Sequence, residues 1–465
     1  MYFFDELEKY KKNLCVIKDN KSFSYKDLID LSKKITQDIP ARSIVLVLCN
    51  NSFEFIAGYV GFLRSKSISI LIDANINNEA LLEIINLYKP NYIFSPTKKI
   101  LKNYILKKKK NFFIFKTNFV NQNTKIDKNL CLLLSTSGST GSSKFVRISY
   151  NNLESNTRSI TKYLKISKKD RLITTLNPSY TYGFSQINSH LVKGASIVLN
   201  NHSFFEKKFW ELIKLKKPNN FGGVPFSYEI LKKIKLGEKN IKSIKYITQA
   251  GGKLSKELHN WMNDICKSNN IKFFVMYGAT EATSRMSYLD WKYSRKKVGS
   301  IGRPIPGGKM WLIDKNKKKI YKNNLQGRLV YKGKNVTMGY AYKYTDLFKK
   351  DENKNVLITG DLAYRDSQNF YYITGREKRF VKIFGYRLNL EEIENKLNIK
   401  NINCACTGID NYIKIFIENK KKINAIKKYF SKELSINPKY YKIYLINKIP
   451  RNNNGKILYN KLNNE

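Results

Sequence analysis

The sequence predicts an α/β protein: a large N-terminal domain of mixed α/β subdomains plus an antiparallel section, then a small α+β C-terminal domain. Three observations carry this. Apolar runs alternate with helical patterns through most of the chain, which implies a sheet with crossover helices. From about Lys309 the texture changes to short alternating strands with turns between them. The 465 residues exceed one compact domain, and a 42% apolar fraction suffices for sizeable cores.

In chain order, "RSIVLVLCN" and "SISILID" read as buried strands. "NSFEFIAGYVGFLRS" between them reads as a helix with Phe53, Ile56, Val60 and Leu63 on one stripe. "NNEALLEIINLYK" is a second helix and "NYIFS" the next strand. The lysine run 107–110, ahead of "FFIF", reads as a solvated loop before a strand. The strand–helix pattern recurs through "SIVLN", "KYITQAGG" and "KFFVMYG". Then "KMWLID", "KKIYK", "GRLVYKG", "VLITGD" and "FYYITG" read as antiparallel strands. After Gly375 come a hairpin around "RFVKIFGYRL", a helix from about Leu390, strands at "NCACTGI" and "IKIFIE", and a helix at "AIKKYFSKEL". Asn389 is placed to cap the Leu390 helix, with Glu392 reaching back. The implied domains are 1–374 and 375–465.

The charge is extreme, with 86 basic against 36 acidic residues, or +50. A polyanion partner such as nucleic acid, an anionic membrane or an acidic carrier protein is one reading. The lysines are spread along the whole chain, as AT-rich coding would leave them, which argues against nucleic-acid binding. Six cysteines lack metal-finger spacing and only three histidines exist, which argues against a zinc site. Scattered cysteines without a disulfide framework, and a first segment "MYFFDELEKY" without a hydrophobic signal core, point to a reducing cytoplasm. No apolar run is long enough to span a bilayer.

Four short stretches could carry chemistry. In "LLLSTSGSTGSSKFVRISY", Gly138 and Gly141 let the backbone curl so that amides point at an anion. Ser137, Ser139 and Thr140 add hydroxyls and Lys144 a point charge. The spacing is not that of the common P-loop, because the lysine follows two serines and a strand follows the loop. In "FFVMYGATEATS" a turn after Tyr277 presents Thr280 and Glu281, a hydroxyl and a carboxylate suited to phosphate and magnesium. In "LITGDLAYRD", Asp361 ends a strand, placed to accept both hydroxyls of a ribose. "PRNNNGKILYNKL" is turn-rich and holds Gly455 and Lys456. Taken singly, each has a bland reading as linker, solvated turn or surface lysine.

Together and in this order they are specific. The sequence resembles the adenylate-forming superfamily of acyl-CoA synthetases, luciferases and amino-acid adenylation domains, over essentially the whole chain. The opening loop matches the family's Ser/Thr-Ser-Gly-x-Thr-Gly-x-x-Lys signature, and "YGATE" its Tyr-Gly-x-Thr-Glu signature. "GSIGRPIPG", "ITGD", "GREKRFVKIFGYRLNLEEIE" and the 450–456 segment match later signatures.

The resemblance implies a carboxylic acid joined to AMP from MgATP with release of pyrophosphate, then transfer to a thiol. Thr136, Ser137, Gly138, Ser139, Thr140, Gly141 and Lys144 would hold the outgoing phosphates. Thr280 would contact the α-phosphate and Glu281 the magnesium. Ala250, Gly251 and Gly252 match the adenine wall, with Tyr277 stacking on the base and Gly278 following it. Asp361 and Arg376 would bind ribose, and Lys456 would reach the forming bond. Lys378 falls at the family's hinge. The C-terminal domain would turn there, making it mobile and bringing the loop starting at Lys382 to the thiol step. The acceptor would be CoA or the phosphopantetheine of an acyl or peptidyl carrier protein.

For the acid, Tyr180, Tyr182, Gly183, Phe184, Ser185, Asn188, Val224, Pro225, Phe226 and Met286 are pocket candidates, with core packing the alternative for the aromatics. Tyr180 stands where many acyl-CoA synthetases carry a histidine. The segment lacks the Phe-Asp-x-Ser pattern of amino-acid adenylation domains, which argues against ordinary α-amino acids. His190 falls near the pocket candidates, but a lone histidine more often reads as structural. Ser143, Phe145, Lys66 and Arg328 depart from the family's usual residues. "PSYTYGFSQINSHLVKGASIVL" is similar to bacterial members associated with surface polysaccharide or specialised acyl transfer. Amino-acid activation, and a non-catalytic basic binder on the same scaffold, are the alternatives.

Overall fold

The computed structural model describes residues 2–96, 104–109, 112–120, 123–135, 144–377, 379–383, 386–409, 411–434, 436–452 and 455–462. The chain divides into two compact units. One comprises Met1–Lys309 with Tyr331–Leu357, the other Met310–Val330 with Ile358–Glu465.

The first unit holds two large sheets. The eight-stranded sheet runs Tyr340–Ala341, Phe145–Ser149, Leu130–Ser135, Ile68–Asp73, Ile44–Cys49, Tyr92–Ser95, Phe112–Lys116 and Ile105–Lys109. Its centre is parallel, with Ile44 opposite Ile68 and Ser69 opposite Leu132. Both faces are covered. Val45, Val47 and Cys49 enter one core and Ile44, Leu46 and Leu48 the other. That is why this strand is apolar at every position rather than at alternate ones.

The crossover helix Phe53–Arg64 starts on Ser52, whose hydroxyl accepts the Phe55 N–H at 3.1 Å. Burial goes all round it: Phe55, Ala57, Tyr59 and Phe62 are as covered as the expected stripe of Phe53, Ile56, Val60 and Leu63. The helix Asn78–Tyr88 buries Leu81, Ile84, Ile85 and Tyr88 in the opposite core.

One expectation fails here. Residues Lys107–Lys109 are not loop but part of the edge strand Ile105–Lys109, paired antiparallel with Phe112–Lys116. A lysine run on an edge strand discourages edge-to-edge pairing with another chain, so the charge suits strand and loop alike.

The nine-stranded sheet runs Arg303–Pro304, Ser287–Leu289, Lys272–Tyr277, Tyr246–Gln249, Asn220–Gly223, Arg171–Ile173, Ser196–Val198, Leu14–Lys18 and Lys21–Ser24. From Lys272–Tyr277 to Leu14–Lys18 all neighbours are parallel. The helix Lys256–Ser268 packs its His259 beneath this sheet, edge-on to Phe273. His259 Nε2 lies 2.9 Å from Ser294 Oγ, and its Nδ1 accepts the Gly299 N–H at 3.1 Å.

Burial lowers the pKa of His259 to about 4. The unfolded imidazole therefore takes up its proton first as pH falls from about 6.5. The neutral ring's contribution is fully present above that value and is lost as pH falls through 4. The expected loss over this window is on the order of 3 kcal/mol. Denaturant melts at about pH 7 and about pH 5 should show a smaller difference for His259→Gln than for the parent. An equal difference would contradict this account.

In the second unit a five-stranded sheet contains Lys319–Ile320, Lys309–Ile313, Gly327–Lys332, Val356–Arg365 and Tyr371–Arg376, some of whose end residues belong to the first unit. Its described pairings are antiparallel, as the texture predicted. Beyond it lie the hairpin Phe380–Ile383 with Tyr386–Asn389, the helix Leu390–Ile399 and a three-stranded sheet of Cys404–Ile409, Tyr412–Ile417 and Tyr441–Leu445. Cys404 and Cys406 point into one core, and Ala405 is buried in a second on the other face. All six cysteines are free and buried. The side chains of Asn389 and Glu392 lie outside the described residues.

Candidate active site

Adjacent parallel strands Asn220–Gly223, Tyr246–Gln249 and Lys272–Tyr277 deliver their carboxyl ends to one edge of the sheet. Val224, then Ala250-Gly251-Gly252, then Tyr277-Gly278 emerge there. Ligands of open α/β sheets bind outside such carboxyl ends. Gly251 has φ +87°, the left-handed region that favours glycine. A side chain there would overlap the Tyr180 hydroxyl and come within 3.1 Å of a Val224 methyl. Two acid-pocket candidates thus border the candidate adenine wall. Ala250 is buried, its N–H bonded to the Gly223 carbonyl at 3.2 Å.

The Thr280–Ala282 turn, followed by Thr283 at φ 51° and Ser284 at φ 116°, folds the chain back against Gly278. Asn335 braces this fold. Its Nδ2 donates to the carbonyls of Ala282 and Arg285, each at 2.8 Å, and its own carbonyl accepts the Thr283 hydroxyl at 2.7 Å. The Thr337 N–H reaches the Glu281 carbonyl at 3.0 Å. Thr280 is buried.

The Glu281 carboxylate accepts the Tyr340 hydroxyl at 2.8 Å. Burial and the adjacent Glu281 charge push that phenol well above its usual range, so it stays a donor. Lys144 Nζ sits 3.6 Å from the Tyr340 ring centroid and 5.6 Å from that of Tyr342. The topology explains the meeting. Leu130–Ser135 and Phe145–Ser149 pair antiparallel up to Ser135 opposite Phe145, so Lys144 comes directly off the returning strand. Tyr340 pairs with Val146 on that strand's other edge. The two flanking strands are as predicted, while residues 136–143 lie outside the described residues. Neither Tyr340 nor Asn335 was singled out from sequence, since no motif marks "GKNVTMGYAY".

The helix Thr181–Leu191 begins at Tyr180 and is buried along its whole length. The Tyr182 hydroxyl meets the Thr248 carbonyl and hydroxyl, each at 2.7 Å. Phe184 packs edge-on to Tyr59 at 4.9 Å. The Ser185 hydroxyl donates to the Tyr182 carbonyl at 2.7 Å. Gly183, Asn188, Val224 and Met286 are buried, Pro225 opens the helix Pro225–Lys233, and Phe226 is exposed. Sequence reading passed over Arg285, which is buried and places its guanidinium 4.1 Å from the Tyr182 ring centroid. Arg285, Ser185 and His190 help line a cavity of about 10 Å³, room for about one water. His190 is held by the Gln186 carbonyl at 2.8 Å and by Asn220 Nδ2 at 3.1 Å, and burial lowers its pKa. It is a neutral structural group.

In the second unit Asp361 is buried and lies within Val356–Arg365 rather than at a strand end. Gly360, at φ +74°, breaks the pleat just before it. Arg376 stands opposite in register and donates from Nε to Asp361 Oδ1 at 2.9 Å. The two ribose candidates are thus brought together. Lys456 is bonded to Asn452: its N–H donates to Asn452 Oδ1 and its carbonyl accepts the Asn452 N–H, both at 2.9 Å. Lys382 lies opposite Arg387 in the hairpin, and Lys378 falls outside the described residues. The neighbouring Arg379 pairs with Glu394 at 2.8 and 3.0 Å and with the Tyr459 hydroxyl at 2.9 Å. The residue after the expected hinge is therefore fastened to the segment that carries Lys456.

Two departures have local reasons. Lys66 sits at φ 58°, where a small residue would be at ease. Phe145 is fully buried and edge-on to Tyr88 at 5.2 Å, so it fills a core. Among the described residues no cluster of three His, Cys, Asp or Glu could hold a metal, and no helix is long and apolar enough to cross a membrane.

Residues 3–341 match the family model described as AMP-binding enzyme. The chain belongs to that family. It is 24% identical over 412 residues to the luciferin 4-monooxygenase of Photuris pensylvanica, covering 80% of this chain and 74% of that one. It is 22% identical over 479 residues to gramicidin S synthase 2 of Brevibacillus brevis, covering 96% of this chain but only 10% of that relative's length. The o-succinylbenzoate coenzyme A synthetase of Bacillus subtilis, solved in complex with AMP, has the same fold, with TM-score 0.79 and 17% identity over 99% of this chain and 98% of that one.

Proposed function

We propose that this protein is an ATP- and magnesium-dependent carboxylic acid ligase that forms an acyl-AMP and then transfers the acyl group to a thiol of CoA or of a carrier protein's phosphopantetheine. The observation that carries the reading is the cluster of Lys144, Tyr340 and Glu281 in the unit that also bears the Gly251 wall.

A carboxylate oxygen attacks the α-phosphorus as the bond to pyrophosphate breaks. The approach of two anions makes oriented donors and cations the main catalytic need. Lys144 and the 136–141 loop hold the departing phosphates, and Thr280 donates to the α-phosphate. Glu281, whose carboxylate accepts the Tyr340 hydroxyl, would hold the magnesium. One carboxylate suits an ion that takes most of its remaining oxygens from phosphates and water. The ion would neutralise phosphate charge. Tyr277 and 250–252 take the adenine, while Asp361 and Arg376 take the ribose. Residues 375–465 act as a lid pivoting at Lys378, which alternates Lys456 with the loop at Lys382.

Acid-dependent exchange of pyrophosphate into ATP tests this, scanned over short aliphatic, aryl and hydroxy acids. No exchange with any acid, in protein shown to bind ATP, would sink the proposal. Likeness to gramicidin S synthase 2 over 96% of the chain favours a second reading, amino-acid activation. Exchange with amino acids and not with simple acids would select it.

A further inference from the structure

We infer that the acid this protein activates is a short dicarboxylic acid, and that Arg285 receives the carboxylate that does not react. The inference rests on the ligase reading and names the substrate class for it.

Arg285 is only 3% exposed. Burying a guanidinium is costly unless its charge and its donors are answered. Here they are answered poorly. Of five N–H donors, one reaches the adjacent Ser284 carbonyl at 3.1 Å, one the Ser185 hydroxyl at a long 3.4 Å, and the Tyr163 phenol is close enough to accept a further one. Nε has no acceptor. Among the described residues no carboxylate pairs with it. The side chains facing it are the phenols of Tyr163, Tyr180 and Tyr182, all raised by burial and therefore neutral at ordinary pH. The Tyr182 ring face offsets part of the cost, but a quadrupole is no counter-ion.

Its neighbours are unanswered too. Ser284 Oγ is buried without a partner. So is Oδ1 of Asn156, whose Nδ2 holds the Arg285 carbonyl at 3.0 Å. A planar cation with free N–H groups, beside a spare hydroxyl and set among apolar rings, matches a carboxylate in charge and fork geometry. Position argues for a short acid. The Arg285 Cα lies against Gly278, 2.9 Å from where a Cβ would stand, on the same loop as Thr280 and Glu281. From that loop the guanidinium reaches Tyr182 and Ser185, where the void of about 10 Å³ must widen for a carboxylate to enter.

Exchange measured with matched pairs tests this: malonate, succinate and glutarate against propionate, butyrate and valerate. The dicarboxylates should be favoured in kcat/KM by about 100-fold, because a site built to bind a polar group rejects the analogue lacking it. Arg285→Met should collapse that ratio to within about threefold, mainly through KM, with Arg285→Lys between the two. If Arg285→Met does not fold, thermal stabilisation of the parent protein by succinate but not by butyrate, lost in Arg285→Lys, carries the test. A parent enzyme that prefers the monocarboxylates overturns the inference while leaving the ligase reading intact. Equal loss on both acids in Arg285→Met makes Arg285 a structural cation over Tyr182 and also overturns it. No exchange with any acid removes the ligase reading itself.

Discussion

Lys456→Ala is expected to lower acid-dependent pyrophosphate exchange by roughly 10²–10³-fold, the usual scale for removing one charge aimed at a transition state. ATP binding should change by less than about threefold, because uniform ground-state binding is not what such a group supplies. Asn452 and Lys456 are joined by backbone groups of both residues and by the Asn452 side chain, and Arg451 pairs with Ile457. These bonds use main-chain groups and the Asn452 side chain, so alanine at 456 can still make them. Calorimetric binding of a non-hydrolysable ATP analogue beside the exchange assay separates the two effects. Equal loss of binding and exchange would contradict the role assigned to Lys456. Thiol transfer from supplied acyl-AMP should suffer less, since the proposed rotation of the lid replaces Lys456 by the loop at Lys382.

How much of this was readable beforehand differs by kind of residue. The buried strands declared themselves because Ile44–Cys49 and Ile68–Asp73 are apolar at every position, which is what two covered faces demand. The nucleotide residues were readable because backbone geometry restricts them. Gly251 needs its positive φ, and the family signatures preserve such restrictions in order. The polar partners of those residues were not readable. Tyr340 meets Glu281 across 59 positions and Asn335 braces the same loop from 50 or more away. Sequence separation of that size carries no local pattern. Arg285 was hidden for the opposite reason: in "TEATSRMS" it looks like one more cation among 86, and only burial distinguishes it. The lysine run at 107–109 misled because such a charge run suits an edge strand as well as a loop, and the residues belong to the strand Ile105–Lys109.

Gly278→Ala is expected to abolish exchange to below about 1% of the parent rate, given that misplacement of a reacting group by about 1 Å costs about 10²-fold. The reason is steric rather than conformational, for Gly278 is not among the residues with positive φ. A Cβ at this position would overlap the Ser284 carbonyl oxygen and stand 2.9 Å from the Arg285 Cα. Both neighbours are backbone, so no rotamer change relieves the clash. Either the end of the Lys272–Tyr277 strand moves, or the 280–285 turn swings away. The strand is held by its register with Tyr246–Gln249 and by Tyr277 opposite Ser287. The turn is held by Asn335 and the Thr337 N–H. The turn is held largely by side chains rather than by a strand register and should yield, carrying Thr280, Glu281 and Arg285 with it. Destabilisation should stay in the range of about 1–3 kcal/mol, the usual cost of overpacking. Activity would then fall far more than stability. The diagnostic is magnesium. If the displaced group is Glu281, the apparent magnesium requirement for exchange should rise in Gly278→Ala, measured on its residual activity. A variant that loses stability and rate together, with an unchanged magnesium requirement, would place Glu281 outside the metal site.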